Sequence, residues 1–457
     1  MLRPKGAGSR LESGLAEPAE QVSSPAEQVS SPAERAVAVS VEGDEFAIDK
    51  KASWVTVGLL QVGDVVGTGI LALGAGVALI GWVPGVLLLL GGLAVNIYAG
   101  VILQEVYLAF PSGRNLPLMA KAVFQNGAFT ALCWVFYYLF FVCLLSQYVQ
   151  VLGSSLNALL IYLELCNYEF TLLGCLVVLP LVQGRTLAAA RPLMVVNMVS
   201  ITLCVLISVV WMLCHMGSSD AQTVAFNVDA SYNDVLSALN KFVFAYNGNV
   251  VYPEMLDEMA KPAKFYKAFF LSSPYQLAMY SFAALTQYGY QGAAAASSGA
   301  LRFQAIPTAN PLYGVCAFLL LVHVAMAYVV KATIMARALH LRLSPDTVNE
   351  RGPRARAIWL AITVTLLIGA WIISSSIPSF NALMDITAAF VITPLGLVLP
   401  PLLTLGVRRR AGALLNRANA ALFALASFGI AMTFMGAAQA VMGAKTSFDN
   451  GEPPFYC

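Results

Sequence analysis

The sequence predicts an all-α polytopic membrane protein with eleven transmembrane helices, arranged as a five-plus-five inverted repeat with broken helices 1 and 6 plus one extra helix. Three observations predict this: the composition, eleven apolar segments of spanning length, and interruptions inside the first and sixth of them. Of the 457 residues, 59% are hydrophobic and 11% are charged, whereas soluble domains carry roughly 25% charged residues. The net charge of +2 gives no reason to expect a nucleic-acid partner.

Three regions follow from the composition. Residues 1–51 contain the tandem repeat "EQVSSPAEQVSSPAER" and are too polar to bury a core, so we expect a disordered cytoplasmic tail. Residues 52–440 form the expected transmembrane domain, and 441–457 form a short extracytoplasmic tail. Residues 1–51 lack the pattern of a cleaved signal peptide.

The crossings are counted from apolar segments, because a spanning helix needs about 20 mostly apolar residues. Eleven segments of this kind centre near 54–79, 83–108, 128–162, 170–184, 192–214, 237–258, 268–291, 311–337, 357–376, 380–405 and 417–440. With the N-terminus in the cytoplasm, most of the 26 Lys and Arg residues fall in the predicted inside regions. This asymmetry obeys the positive-inside rule and supports an odd number of crossings.

Two of these crossings contain residues that disfavour a continuous helix. The first reads "VGDVVGTGILALG", with Gly67-Thr68-Gly69 in its middle, and the sixth reads "FVFAYNGNVVYPEM", with Asn247-Gly248-Asn249. Gly is poor in helix interiors, and both Asn and Gly tolerate left-handed backbone. Interruptions at corresponding places five crossings apart predict an inverted repeat, with the binding site where the two breaks face each other.

An interrupted crossing exposes main-chain groups that bind ligands. A half-helix that starts after Gly69 presents free N–H groups and a positive dipole end, which hold a carboxylate without a buried Arg. The Thr68 hydroxyl adds a donor. The alternative interpretation is that the glycines only let another helix pack closely.

At these residues the sequence resembles the amino acid/auxin permease family. The family's first-helix pattern matches "VGTGILALGAGVALIGWVPG", residues 66–85, except that Gly74 stands where many members have Pro. Its sixth-helix pattern matches "FAYNGNVVYPEM" followed by "AKPAKFYKAFF". The resemblance runs over nearly all of 52–440 and implies the inverted-repeat fold and amino acid transport, usually with protons. Carried over residue by residue, it implies a substrate site at Gly67, Thr68, Gly69, Ile70, Phe244, Ala245, Tyr246 and Gly248.

Three ionisable residues inside crossings are candidates for coupling, because such residues are costly in a membrane. Asp64 lies one turn before the first interruption and could exchange a proton, or it could cap the break or pair with a cation. His323 titrates in the useful range, although a lone membrane His is also typical of packing. Lys331 either extends towards the cytoplasmic face or replaces a sodium ion between helices 1 and 8, which would favour proton coupling.

These features favour a secondary active transporter of neutral amino acids, coupled to protons rather than sodium, that needs no cofactor or metal and works as a monomer in the lipid bilayer. Auxin or another aromatic carboxylate, and an amino-acid sensor that signals through the tail, remain alternatives. No enzyme motif is present, so no catalytic residue is expected. The plasma membrane and vacuolar or other endomembranes stay open, as does a disulfide between Cys166 and Cys214.

Overall fold

The computed structural model describes residues 52–185, 191–219, 221–297, 302–348, 350, 352–414, 416–449 and 453–455. The tail assigned to residues 1–51 lies outside this part of the chain. The described residues are helical, and in them the strand-type pairing is limited to one isolated bridge between Ala52 and Met259. The predicted all-α class is confirmed.

The helices are numbered here in chain order. They are α1 (Trp54–Val65), α2 (Leu73–Ile80), α3 (Trp82–Ala109), α4 (Leu116–Phe124), α5 (Gly127–Leu159), α6 (Asn167–Leu181), α7 (Arg191–Cys214), α8 (Tyr232–Ala245), α9 (Tyr252–Glu258), α10 (Phe269–Gln291), α11 (Pro311–Leu343), α12 (Pro353–Ser376), α13 (Phe380–Thr387), α14 (Leu399–Arg410) and α15 (Ala420–Asp449). Short 3-10 helices occupy Thr68–Leu71, Asn247–Val251 and Pro262–Ala268.

The membrane-spanning character is clear in most of these helices. In the described residues, seven helices are long and apolar enough to cross a membrane. The two half-helices Trp54–Asp64 and Thr68–Ile80 together form an eighth candidate, with a bend of 44° between them. The chain is therefore an integral multi-pass membrane protein, as its composition predicts.

The centre of the molecule is formed by α11, which packs against both α5 and α7. In its most apolar window, 61% of the residues are buried within the protein, so this helix faces other helices more than lipid. The half-helix α2 packs against α8 and α10. These contacts place the start of the chain's membrane region against the middle of the bundle.

A long π-helix, Ala388–Val398, joins α13 to α14 and contains Pro394. Proline has no N–H to donate to the helical ladder. Next to it, the Thr393 hydroxyl donates to the Ala388 carbonyl at 2.9 Å. The sequence predicts one continuous helix in this crossing.

The sequence predicts no separate helix at Leu116–Phe124, where the apolar side chains of Leu116, Met119 and Val123 are buried.

The cysteines correct one expectation. Cys166 is disulfide-bonded, but Cys214 is free, so a disulfide between these two is wrong. Cys214 ends α7 and is exposed, whereas Cys166 immediately precedes α6. Two cysteines near the same predicted membrane face do not define a pair, because a disulfide needs closely matched Cα positions.

The C-terminal part returns to the bundle. Helix α15 continues to Asp449, nine residues past the predicted boundary at 440. Beyond it, the Phe455 N–H donates to the Ser375 carbonyl at 2.8 Å. The Phe455 ring centroid lies 5.7 Å from that of Trp371 and 6.3 Å from that of Tyr168.

Candidate functional site

The first break, residues 66–72, separates α1 from α2. The α-helical pattern stops after Val65, and Gly67 adopts φ −108° and ψ −148° before the 3-10 turn Thr68–Leu71. The turn closes with weak 3.3 Å hydrogen bonds, from the Ile70 N–H to the Gly67 carbonyl and from the Ala72 N–H to the Gly69 carbonyl. The interruption lies where the sequence predicts it.

The second break, residues 246–251, separates α8 from α9. Pro253 lies in the first turn of α9, where its missing N–H is not needed. Side chains bind the main-chain carbonyls around this break. The Asn247 amide donates to the Phe244 carbonyl at 2.6 Å, and the Tyr280 hydroxyl donates to the Ala245 carbonyl at 2.7 Å.

The first break touches the end of α8, directly before the second break. A Cβ atom on Gly69 would lie 2.6 Å from Ala245 Cα, so no larger residue fits without moving the backbone. Gly67 differs, because the nearest atoms to a Cβ there are the Asp64 carbonyl oxygen at 3.8 Å and the Tyr148 hydroxyl at 3.9 Å. Close packing explains Gly69, whereas Gly67 borders open space.

Two small cavities, of about 20 and 10 Å³, meet at Gly67. The smaller is lined by residues of both breaks and by α5 and α11, namely Asp64, Gly67, Thr68, Gly69, Leu144, Tyr148, Phe244, Ala245, Asn247 and Lys331. The structure thus brings together five of the eight predicted substrate residues and two of the three coupling candidates. The other three substrate candidates, Ile70, Tyr246 and Gly248, do not line these cavities.

An ion pair lies at the edge of both cavities. The Lys331 ammonium of α11 donates a hydrogen bond to the Asp64 carboxylate of α1, and the two side chains are only 7% and 10% exposed. The sequence allows two directions for the Lys331 side chain, towards the cytoplasmic face or towards the first crossing. In the structure it points to the first crossing. A buried pair of this kind depends on both partners, because removing one leaves an uncompensated charge.

His323 lies outside the cavity lining. It is fully buried, and its Nδ1 is 3.0 Å from the Asn197 carbonyl oxygen. The Asn197 amide in turn donates to the Gly63 carbonyl at 2.9 Å, and Asn197 lines the larger of the two cavities. His323 therefore reaches the site only through Asn197, which favours the packing interpretation.

Seven cavity residues were not among the predicted site residues, namely Gly63, Leu144, Tyr148, Asn197, Asn247, Ala327 and Val330. Asn197 could have been found from the sequence, since an amide in an apolar crossing indicates an internal partner. Two predicted residues have a buried polar atom without a hydrogen-bond partner, the Thr68 hydroxyl and His323 Nε2. In the described residues, no group of three or more His, Cys, Asp or Glu could hold a metal ion.

Comparisons with known proteins agree with this architecture. A family model described as transmembrane amino acid transporter protein matches residues 50–442. The N amino acid transport system protein of Neurospora crassa is 21% identical over 376 residues, which cover 79% of this chain and 77% of that protein. The crystal structure of MhsT in complex with L-phenylalanine superposes with a TM-score of 0.55 at 15% identity, covering 87% of this chain and 98% of that one.

The match to the family model extends over most of the chain and includes both breaks and the ion pair. The structural likeness to MhsT, at its low identity, shows the fold. The family match and the relative's name identify a transport protein and not an enzyme. The chain belongs to the transmembrane amino acid transporter protein family.

Proposed function

We propose that this chain transports neutral amino acids by alternating access and couples their movement to protons. The observation that carries the proposal is the buried Asp64–Lys331 pair, which lines the same cavity as the main chain of both breaks. A carboxylate at the junction of two helices provides a group that can gain and lose a proton next to the substrate.

The proposed architecture has eleven crossings as a five-plus-five inverted repeat plus one helix. The count reaches eleven when α6, the interrupted pair α8–α9 and the 23-residue α10 are added to the spans described above. The two breaks, five crossings apart and in contact at Gly69 and Ala245, support this arrangement. The distribution of Lys and Arg supports a cytoplasmic N-terminus.

The substrate's two charged groups would bind at the first break and at the end of α8. Its carboxylate would bind the main chain at Gly67 and Thr68, helped by the Thr68 hydroxyl, which has no partner of its own. Its ammonium would bind the Phe244 carbonyl. The Asn247 amide now donates to that carbonyl and lines the same cavity, so substrate binding would displace it.

The lining supports a neutral side chain. Leu144, Tyr148 and Phe244 contribute uncharged side chains to the lining, and the charges of Asp64 and Lys331 compensate each other. An acidic or basic side chain would add an unpaired charge to a buried site, which is costly. L-Phenylalanine bound to MhsT and the name of the Neurospora crassa relative support an amino acid as the ligand.

Coupling to protons follows from the ion pair. While Asp64 is ionised, its attraction to Lys331 links α1 to α11. Protonation of Asp64 removes that attraction and with it this link between the two helices. The Lys331 ammonium also supplies a positive charge between the first and eighth crossings, in place of a sodium ion. Substrate and proton together would then stabilise one conformation, which is the requirement for coupled transport.

The test is uptake of labelled neutral amino acids into proteoliposomes, with and without an inward proton gradient. We expect Asp64→Asn to abolish gradient-driven uptake, and we expect Asp64→Asn/Lys331→Met, in which no charge is left unpaired, to retain exchange of labelled for unlabelled substrate. The matched control is Glu105→Gln, since Glu105 pairs with Arg408 at 2.7 Å and lines neither cavity. Full gradient-driven uptake by Asp64→Asn would contradict the coupling mechanism.

A further inference from the structure

The half-helix α9 carries two carboxyl groups that accept hydrogen bonds from tyrosines. Asp257 accepts from the Tyr107 hydroxyl at 2.8 Å and lies 3.7 Å from Arg114 Nε. Glu254, one turn earlier, accepts from the Tyr137 hydroxyl of α5. It forms no ion pair in the part of the chain that the structure describes. Each carboxyl is thus bound by a tyrosine, and of the two only Asp257 also has a cation within the described residues.

The surroundings of the Glu254 carboxyl offer it few polar partners. Tyr137 is 4% exposed and packs edge-on against Phe141, with the two ring centroids 5.1 Å apart. The second carboxyl oxygen, Glu254 Oε2, is buried and has no hydrogen-bond partner among the described residues. An ionised carboxylate without a cation is costly in such a place, whereas the protonated acid carries no charge. The arrangement therefore favours a neutral, protonated Glu254 in this conformation.

Glu254 lies on the same side of the breaks as the Asp64–Lys331 pair. The chain just before α1 is joined to the end of α9, because the Ala52 N–H donates to the Glu258 carbonyl at 3.1 Å. Asp64 on α1 and Glu254 on α9 both lie between this junction and the breaks. The charges of Lys331 and Asp64 act on the Glu254 carboxyl. The flexible Lys331 side chain thus has a second carboxyl near its ammonium.

Several other ionisable groups on the elements around Glu254 have neighbours of their own or are exposed. They are Glu105 paired with Arg408 at 2.7 Å, Tyr252 with its hydroxyl donating to Asn96 at 3.1 Å, Arg337 close to Arg185, Arg342 over the rings of Trp134 and Tyr138, and the exposed Lys264. Lys331 is therefore the cation placed to compensate an ionised Glu254.

We propose that Glu254 is a second proton-binding carboxyl of the transport site and alternates with Asp64 as the partner of Lys331. The inference rests on the proposed proton coupling through Asp64. While Lys331 pairs with Asp64, Glu254 holds a proton. When the coupling proton binds Asp64, the Lys331 ammonium turns to Glu254, and Glu254 releases its own proton towards the membrane side on which α1 and α9 lie.

This exchange keeps the buried charges balanced. One proton is bound by Asp64 and one is released by Glu254, so the two carboxyls and Lys331 together keep one negative and one positive charge throughout. Without Glu254, a proton on Asp64 would leave the buried Lys331 ammonium without a counter-charge, which is costly. A second carboxyl thus allows the first to be protonated.

A thermodynamic cycle on the purified full-length chain tests the change of partner without measuring transport. The four forms are the unmodified chain, Asp64→Asn, Glu254→Gln and the double variant, and thermal unfolding gives the Tm of each. Glu254→Gln resembles the protonated acid, so alone it should leave the Tm unchanged. In the Asp64→Asn background it removes the second carboxylate near Lys331 and should lower the Tm.

Asp257→Asn is the matched control, because it makes the same chemical change on the same half-helix. It should shift the Tm equally in the unmodified and the Asp64→Asn backgrounds. Equal effects of Glu254→Gln in the two backgrounds, or an effect in the unmodified chain alone, would overturn the proposal.

Proton movement is measured in proteoliposomes that enclose a pH-sensitive dye, with a neutral amino acid that the unmodified chain takes up. Glu254→Gln should abolish the substrate-driven proton movement, because Asp64 then cannot bind a proton without leaving Lys331 unpaired. Asp257→Asn should retain it. Proton movement by Glu254→Gln at the rate of the unmodified chain would overturn the role of Glu254 and leave the proposed function standing. Uptake by the unmodified chain without proton movement would overturn the proposed coupling and, with it, the release of a proton from Glu254.

Discussion

The two breaks use the same device, an interrupted crossing, but they satisfy their main chain in different ways. Around the second break, side chains bind the carbonyls: Asn247 binds that of Phe244, and Tyr280 binds that of Ala245. At the first break the Thr68 hydroxyl has no partner, and Gly67 borders the small cavity that Asp64 and Lys331 also line. The first break thus lies beside the ion pair, whereas the two carbonyls at the second break are bound by neutral side chains.

This difference has a physical consequence for alternating access. Beside the first break the Asp64–Lys331 pair links α1 to α11, so a change of charge removes this link. The Phe244 and Ala245 carbonyls at the second break are bound by neutral groups, and a proton does not alter those two hydrogen bonds. We therefore expect charge to control the first break, and substrate binding at Asn247 to control the second.

The largest effect is expected from Lys331→Met, which leaves the buried Asp64 carboxylate without its counter-charge. Breaking a buried pair in this way costs about 3–5 kcal/mol, so the variant should lose thermal stability and substrate uptake together. The double variant Asp64→Asn/Lys331→Met should recover most of the stability, because neither charge remains. Thermal unfolding followed by fluorescence measures the stability of the single and the double variant. A double variant as unstable as the single one would show that the pair is not what holds α1.

Gly69→Ala should have the next largest effect and separates the two glycines of the first break. Its Cβ would lie 2.6 Å from Ala245 Cα, and overpacking of this kind costs about 1–3 kcal/mol. Substrate affinity, measured by tryptophan fluorescence titration, should fall together with stability. Gly67→Ala is the control, because its nearest contact would be 3.8 Å. Equal loss of stability in the two variants would contradict the contact between the breaks.

A smaller effect, confined to the second break, is expected from Tyr280→Phe. This change removes the donor to the Ala245 carbonyl and leaves a buried acceptor unsatisfied, at a cost of about 1–3 kcal/mol. Because no charge changes, the dependence of uptake on the proton gradient should stay as in the unmodified chain. Uptake at a series of external pH values tests this. A shifted pH dependence would show that the second break takes part in coupling.

Much of this arrangement could be predicted from local sequence. Gly67-Thr68-Gly69 and Asn247-Gly248-Asn249 interrupt their crossings because of backbone preferences that act over a few residues. The all-α class and the membrane likewise follow from apolar segments. Family membership agrees with the motifs at residues 66–85 and 244–268.

What the sequence could not predict depends on contacts between distant residues. Asp64 and Lys331 were each candidates, but their pairing depends on where α1 and α11 lie in the bundle, and the two residues are 267 positions apart. Tyr246 was predicted to contact substrate, yet it lines a separate, mostly apolar cavity of about 250 Å³, because the direction of a side chain at a break depends on the local backbone. The π-helix at Ala388–Val398 was missed, since its wider ladder leaves no distinct apolar period.

The smallest expected effect is that of Thr68→Val, and it is the most specific test of the first break. The Thr68 hydroxyl is buried without a partner, so its replacement by a methyl group of similar size should leave thermal stability unchanged or slightly raised. If the hydroxyl binds the substrate carboxylate, affinity should fall about tenfold, the effect of one hydrogen bond to a charged group. Thr171→Val is the control, because that hydroxyl bonds the Tyr168 carbonyl at 2.8 Å and lines neither cavity at Gly67. Unchanged affinity in Thr68→Val would leave the main chain of the first break as the carboxylate's only ligand there, whereas reduced stability would show that the hydroxyl supports the fold.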